Sequence, residues 1–329
     1  MKNALILVVF LMLSIQCFAI RDTLFIPEIE GTIRAKYEYA TGVSEQRFQV
    51  RNARFSVNGY LSKITSYKAE IDLSDEGVTK MLDAYIKVKL SNKLSFTAGQ
   101  QKVPFSTDNL RSPHQLYFAN RSFIGKQLTG LRDVGFSTDY KGFKGIDFSI
   151  GIFNGTGLYN QKQWRSFSEM SYVARAVFNP FSILKISLNY NSIQPTGLRM
   201  DLFDAGVILD INNLHVESEY YYKTYQDTIL EPTQGFFGFI AYDFVFKNSK
   251  HLKKITPLIR YDLMTANLRF DEAGKEKYDP AKKRITSGLT FSLNKPFLND
   301  IKLNFEKYFV EEGQSDPDSK IVIELSVRF

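Results

Sequence analysis

The sequence predicts an all-β protein, a transmembrane antiparallel β-barrel of about sixteen strands. Three observations predict this fold. Residues 321–329, IVIELSVRF, alternate apolar and polar side chains and finish on an aromatic residue, as the closing strand of an outer-membrane barrel does. Similar alternating segments recur along the whole chain, and the connections between them alternate between short and long. Together these patterns are typical of a closed sheet with one face toward lipid and the other toward water.

Residues 1–19 have the pattern of a secretory signal peptide. Lys2 supplies the positive start, residues 4–15 are apolar, and residues 17–19 form a plausible cleavage site. The apolar stretch is shorter than the ~20 residues that a membrane-spanning helix needs. We therefore expect the chain to leave the cytoplasm, with residues 20–329 forming a single barrel domain.

The composition beyond residue 19 excludes several classes of protein. The one cysteine, Cys17, lies in the signal, so disulfides and thiolate metal sites are not expected. Removing Lys2 lowers the net charge from +7 to +6, and basic residues are interspersed with acidic ones, which disfavours nucleic-acid binding. The 28 Phe and 18 Tyr residues can enter a membrane as strands, because a closed barrel satisfies every backbone group.

Sixteen segments show the alternation of a strand. They are residues 29–41, 47–61, 63–74, 80–90, 92–101, 129–140, 143–154, 168–179, 183–193, 203–211, 213–223, 234–246, 254–266, 282–293, 299–310 and 320–329. Most are long enough to cross a bilayer as tilted strands of ~9–11 residues. An even number returns both ends of the chain to the periplasmic side.

The connections follow the same order. Short turns after even-numbered segments contain Ser, Asn and Gly, which tolerate turn geometry, as at residues 91–92 and 212–213. The connections after odd-numbered segments are longer, and residues 102–128 form the longest. This parity is expected of a barrel with short periplasmic turns and long outer loops.

The two faces of each segment have different chemistry. In the fourth segment we expect Leu82, Ala84, Ile86, Val88 and Leu90 to face lipid. Asp83, Tyr85, Lys87 and Lys89 should point inward. Because a filled core cannot hold many charges, the inner face is predicted to be wet, with sixteen strands leaving an aqueous channel.

Five stretches carry a resemblance to a known family. They are residues 52–61 (NARFSVNGYL), 83–91 (DAYIKVKLS), 98–105 (AGQQKVPF), 110–122 and 132–135 (RDVG). The sequence here resembles the N-terminal half of the phosphate-selective porin O and P family. This resemblance implies a trimeric, sixteen-stranded porin in the outer membrane of a Gram-negative bacterium. Beyond Tyr140 the chain shows only the general barrel pattern.

The resemblance also implies that the third outer loop, residues 102–128, folds into the lumen and narrows it. Pro104 and Pro113 would stiffen the loop, and its aromatic residues would pack against the wall. The charged residues of the loop would then line a constriction with mainly positive charge. These residues are Lys102, Asp108, Arg111, Arg121 and Lys126. A loop that points outward into solvent is the alternative.

The predicted wall mixes both charges. Its inward basic residues include Arg54, Lys68, Lys87, Arg175 and Arg260, and acidic residues on the same face answer them. Phosphate-selective relatives use a ladder of inward arginines, which cannot be aligned on this chain, so no phosphate ligand is assigned. We expect only weak anion preference from such a wall.

The sequence therefore predicts a porin for passive diffusion of small hydrophilic solutes and ions, with no cofactor, no metal and no catalytic residue. Expected partners are outer-membrane lipid, the solutes and two further copies of the chain. A specific phosphate or polyphosphate channel, and a non-conducting barrel that acts as adhesin or scaffold, remain alternatives. An outer-membrane enzyme would need a histidine beside a nucleophile, and spacing alone does not establish this for His114 and Ser112.

Overall fold

The computed structural model describes residues 25–75, 78–128, 132–155, 157, 170–194, 198–226, 230–270, 276–294, 298–310 and 319–329. The predicted signal peptide, residues 1–19, lies outside the described residues, as do most of the long connections at residues 158–169 and 311–318. Within the described part, no helix is long and apolar enough to cross a membrane.

The described chain is almost entirely β-structure. Its strands are β1 Glu28–Ala40, β2 Glu45–Tyr60, β3 Thr65–Asp75, β4 Val78–Lys89, β5 Leu94–Lys102, β6 Arg132–Phe143, β7 Ile146–Phe153, β8 Ser171–Phe181, β9 Leu184–Ile193, β10 Met200–Ile211, β11 Leu214–Tyr225, β12 Thr233–Tyr242, β13 Phe244–Val245, β14 Leu252–Met264, β15 Asn267–Phe270, β16 Glu276–Asp279, β17 Lys282–Leu293, β18 Leu298–Val310 and β19 Lys320–Arg328. All pairings are antiparallel, and β15 with β16 forms a separate hairpin.

The large sheet closes on itself because β1 pairs with both β2 and β19. The two-residue β13 pairs with β14 beside the end of β12, so sixteen full strands make the barrel. This confirms the predicted fold class. The segment predicted at residues 282–293 coincides with β17, and most other predicted boundaries lie within three residues of the strand ends.

The predicted alternation of faces is clearest in β19. Ile323 and Leu325 are 41% and 45% exposed, whereas Val322 and Glu324, which alternate with them, are fully buried. A carboxylate buried among strands must be paired, and Glu324 lies beside Arg34 at 2.6 Å. The polar face is therefore the inner face, and the exposed apolar face is the outer one.

The predicted parity of the connections holds only in part, because residues 41–44 after β1 form a connection as short as residues 61–64 after β2. Tight turns follow β2, β4, β6, β8 and β10. Asn212 and Gly145 have positive φ of 52° and 73° in two of these turns, a conformation that Asn and Gly adopt at low cost. The described connection from β5 to β6 is much longer and contains its own short helices.

β-Bulges in β2 and β4 change which side chains face inward, although the sequence of these strands shows no interruption. In β2 the register passes from Arg34↔Asn52 to Ala35↔Val50, which leaves Arg51 as the additional residue. In β4 the register passes from Glu70↔Asp83 to Ile71↔Met81, so Leu82 is the additional residue.

The bulge in β4 makes one prediction wrong. Leu82, predicted to face lipid, is only 7% exposed, while Met81 is 52% exposed. Gln100 donates from Nε2 to the carbonyl oxygens of Met81 at 2.6 Å and Leu82 at 2.9 Å, which satisfies backbone groups at the bulge.

The inner face, which the sequence predicted to be wet, is polar on some strands and apolar on others. One continuous core contains inward side chains of the strands from β7 to β14, namely Phe153, Val173, Ile193, Met200, Leu202, Tyr221, Phe237, Phe239, Ala241, Leu258 and Met264. Five residues of the connection after β5 complete this core, and they are Val103, Phe105, Phe118, Phe123 and Ile124. Burial of these side chains from water stabilises the connection against the barrel.

Candidate functional site

The candidate site is the segment between β5 and β6, residues 103–128, together with the inner face that it contacts. It contains a four-residue helix α1, Thr107–Leu110, a 3₁₀ turn at Pro113–Gln115 and a π-helical turn at Ile124–Leu128. Lys102, the last residue of β5, donates from Nζ to the carbonyl oxygens of Asn109, Leu110 and Arg111, each at 3.0 Å. All three donors of this ammonium therefore hold the end of α1.

A carboxylate of the barrel holds the start of α1. Glu219 on β11 accepts the backbone N–H of Thr107 at 3.0 Å and of Asp108 at 3.1 Å. The hydroxyl of Ser106 accepts the N–H of Asn109 at 3.3 Å. The free N–H groups of a helix start are thereby satisfied, and a negative group stands where the helix dipole favours one.

Arg111 forms a paired contact with Glu217 on β11. Its Nη1 donates to Oε1 at 2.8 Å, and Nη2 donates to Oε2, which is the bidentate geometry that makes Arg–carboxylate pairs strong. The guanidinium also lies 5.4 Å from the ring centre of Tyr117, which in turn lies 4.5 Å from the His215 ring and 5.0 Å from the Phe239 ring. Burial raises the pKa of Tyr117 to about 12.

Residues 119–123 cross to the opposite part of the sheet. The backbone N–H of Ala119 donates to Asn304 Oδ1 on β18 at 2.8 Å, and its carbonyl accepts from Arg34 on β1 at 2.7 Å. Asn120 donates to Glu306 on β18 at 2.8 Å and accepts from the Lys36 ammonium.

Asp262 on β14 accepts hydrogen bonds both from the segment and from two arginines of the barrel. It is fully buried and accepts from Phe123 N at 3.2 Å, from Arg260 Nε at 2.8 Å and from Arg284 Nη2 at 2.9 Å. The two arginines also donate to the carbonyl oxygen of Arg121, at 3.3 Å and 2.8 Å. Barrel and segment therefore share one charged network.

Asp108 and Arg121 stabilise the segment internally. Asp108 accepts from Ser122 Oγ at 2.6 Å and lies 3.9 Å from Arg121, which also donates to the carbonyl oxygen of Arg111 at 2.6 Å. Burial opposes ionisation of Asp108, but the Arg121 charge and the Ser122 hydroxyl hold its pKa below its usual value. Burial lowers the pKa of Arg121 to about 10, a value at which it remains charged.

The structure thus separates the five predicted constriction residues by role. Lys102, Asp108, Arg111 and Arg121 are all committed to contacts within the segment or with Glu217. Lys126 is exposed, and in the described part of the chain its ammonium has no hydrogen bond or ion pair.

Three of the five predicted wall residues belong to a row of ion pairs on the strands from β2 to β6. Arg54 lies 3.0 Å from Asp72 and 3.4 Å from Glu70, and Lys68 lies 2.7 Å from Glu70. Lys87 contacts Asp139 at 2.9 Å. Each of these positive charges is therefore matched by a nearby carboxylate.

The other two wall residues face the segment. Arg175 on β8 donates to Asn189 at 2.5 Å and to the Thr107 hydroxyl at 3.3 Å. Arg260 lies 4.4 Å from the ring centre of Phe118 and donates to the carbonyl oxygen of Asn120 at 3.0 Å. They hold the segment in place as well as lining the wall.

The sequence interpretation missed three arginines. Arg132 pairs with Asp83 at 2.7 Å, and Arg284 pairs with Asp262. The alternation of residues 282–293 places Arg284 opposite in face to Ile285, so this one could have been found. The inward position of the third arginine, Arg51, could not have been found from the sequence, because it results from the bulge in β2.

No arrangement for nucleophilic catalysis is present among the described histidines. His215 contacts Asp210 at 2.6 Å and Glu217 at 3.2 Å, which are carboxylates rather than a hydroxyl nucleophile. His114 is half-buried in the 3₁₀ turn, and burial lowers its pKa. Among the described residues, no group of His, Cys, Asp and Glu could hold a metal ion.

Comparison with known proteins identifies the class of this barrel. The sequence profile of the family described as phosphate-selective porin O and P matches residues 30–193. No curated protein sequence matches the chain.

Solved structures match over almost the whole chain. OprB of Pseudomonas putida has a TM-score of 0.67 at 10% identity, covering 93% of this chain and 94% of its own. The outer-membrane channel DcaP of Acinetobacter baumannii has a TM-score of 0.62 at 11% identity, covering 92% and 97%. OmpT of Vibrio cholerae, in its trimer form, has a TM-score of 0.60 at 12% identity, covering 92% and 98%. At such identities these structures are evidence for the fold alone.

Proposed function

Since the chain belongs, over residues 30–193, to the phosphate-selective porin O and P family, we propose that it forms a water-filled channel for passive diffusion of small hydrophilic solutes and ions. It is a β-barrel of the Gram-negative outer membrane, and family and fold point to a channel rather than an enzyme. One observation carries the proposal: charged side chains line the inner face from β2 to β6, and Arg54, Lys68 and Lys87 there are paired with carboxylates of the strands themselves.

We infer that residues 103–128 lie in the lumen and narrow it from one side. Support comes from their contacts with inward side chains on β11, β14, β18 and β1, which include Glu217, Asp262, Glu306 and Arg34. A segment held by so many partners is a fixed part of the wall rather than a mobile gate. The path for solutes then runs between this segment and the charged wall from β2 to β6.

The same contacts support weak anion preference. Lys102, Arg111 and Arg121 are committed to acceptors, so they contribute less free positive charge to the path than their number implies. Arg54, Lys68 and Lys87 are balanced by carboxylates. A path lined by paired charges discriminates little between ions of opposite sign.

We propose further that three copies assemble in the outer membrane after removal of residues 1–19. The OmpT structure in trimer form supports this by similarity of fold, and family resemblance supports it independently. Crosslinking of the purified protein, followed by gel electrophoresis without heating, tests the number of copies.

Planar-bilayer recording of the purified protein tests the channel. We expect stepwise, ohmic current increases in 1 M KCl as single assemblies insert, with a small zero-current potential of anion-selective sign in a salt gradient. Folded protein that inserts without conducting would favour the adhesin or scaffold alternative. Block of chloride current by micromolar phosphate would instead favour a specific phosphate channel.

A further inference from the structure

Arg51 occupies an unusual position on the charged wall. The bulge in β2 places Arg51 and Asn52 together opposite Arg34, so both side chains leave the strand on the inner face. Asn52 confirms this direction, since its Oδ1 accepts from Arg34 at 3.0 Å and its Nδ2 donates to Asp72 at 2.9 Å. The bulge adds one guanidinium to the lumen at the middle of the strand.

Unlike its neighbours, Arg51 is exposed and uncommitted. Its backbone carbonyl accepts from Ser74 Oγ at 3.2 Å, whereas its guanidinium has no hydrogen bond or ion pair in the described part of the chain. The carboxylates nearest in register, Asp72 and Glu324, are taken by Arg54 and Arg34. The Arg51 guanidinium therefore adds positive charge to a wall that is otherwise balanced.

Arg51 also lies beside the point where the segment crosses to the barrel. Arg34 and Lys36, on the adjoining strand β1, contact Ala119 and Asn120 of the segment. On the segment, Lys126 is exposed, and its ammonium has no hydrogen bond or ion pair within the described part of the chain. Arg51 on the wall and Lys126 on the segment are thus two exposed cations without an ion pair among the described residues.

We propose that Arg51 is the residue that sets the ion preference of this channel, with Lys126 as its counterpart on the segment. This inference rests on the proposed function, and it assigns selectivity to an arginine at a bulge instead of the basic residues that hold the segment. Mobile anions meet its free guanidinium in the narrowed part of the lumen. Paired arginines such as Arg54 present little net charge to them.

Zero-current potentials in a tenfold KCl gradient test this proposal. For Arg51→Gln we expect the chloride-to-potassium permeability ratio to fall by about threefold, because a unit charge ~5 Å from an ion changes its energy by about 0.8 kcal/mol in water and salt screens part of this. Arg51→Lys should restore the ratio. Lys93→Gln, which removes one positive charge from an exposed periplasmic turn, should leave it unchanged.

Cysteine chemistry provides a test that a folding defect cannot imitate, because residues 20–329 contain no cysteine. Arg51→Cys should lose the anion preference, regain it after reaction with a cationic methanethiosulfonate, and become cation-selective after reaction with an anionic one. A conducting protein whose ratio ignores both reagents would overturn the role of Arg51. Absence of conductance in the unmodified wild type would overturn the proposed function instead.

Discussion

Asp262 is predicted to be the single carboxylate on which the position of the segment most depends. Asp262→Asn removes the negative charge between Arg260 and Arg284, and it places an amide donor where four N–H groups now converge. Breaking a buried ion pair by removing one partner costs about 3–5 kcal/mol. Because Arg284 keeps Glu306 at 3.5 Å as a second partner, we expect a loss of about 3 kcal/mol.

The measurement is urea unfolding of the barrel in lipid vesicles, followed by the shift in gel mobility between folded and unfolded protein. Asp201→Asn is the matched control, since Asp201 is half-buried and accepts one bond from the Tyr190 hydroxyl at 2.8 Å. We expect this control to lose less than about 1 kcal/mol. If both variants unfold at the wild-type urea concentration, the charged network does not hold the segment and the reasoning fails.

Three further predictions follow from particular contacts. Gly31→Val should slow assembly and lower the yield of folded barrel on unheated gels, because a Cβ at Gly31 would lie 2.2 Å from Phe329 Cζ. The control Ala35→Val on the same strand should change neither the rate of assembly nor the yield. Leu325→Arg should destabilise the barrel by about 2–4 kcal/mol in vesicle unfolding, since its exposed side chain sits midway along β19 on the outer face; a loss under about 1 kcal/mol would contradict that placement. Because the pKa of Asp108 is depressed in the folded state, its ionised carboxylate stabilises the fold above about pH 3.8, and this contribution is lost as the pH falls through the lower folded-state pKa. The urea midpoint of unfolding should therefore depend less on pH in the acid range for Asp108→Asn than for the wild type. An equal pH dependence of the two proteins would contradict this.

The barrel could be predicted because its signals are local. Alternation with period two needs only consecutive residues, and turn residues such as Asn212 mark the ends of strands. The short turns after β2, β4, β6, β8 and β10 could be predicted for the same reason, although the connection after β1 is as short as the one after β2. Leu82 shows the limit, since a bulge inserts one residue and reverses the faces beyond it without altering the composition of the strand.

The apolar part of the inner face could not be predicted from alternation. Residues 234–246 carry aromatic side chains on both faces, so period two does not separate Phe237 and Phe239, which are buried inside, from Phe236, which is outside. Which side of the lumen is dry depends on where residues 103–128 fold. That is decided by contacts between residues distant in sequence.

The candidate site, like the fold, could be predicted only in part from the sequence. The sequence identified the segment and its charged residues, but not their roles, because Arg111 and Glu217 are 106 positions apart and meet only in the closed barrel. Arg51 was missed because its freedom follows from a bulge in register and from the commitment of Asp72 and Glu324 to other arginines. Neither fact is visible in one strand alone.

Liposome swelling with neutral sugars of increasing size tests the central claim most directly, namely that the barrel encloses an open water-filled path beside a fixed segment. We expect uptake of small sugars at a rate that rises linearly with concentration and falls steeply with molecular size, as passive diffusion through one narrowed lumen requires. Vesicles that contain folded barrels but admit none of the sugars would contradict the account, because the segment would then close the lumen instead of narrowing it.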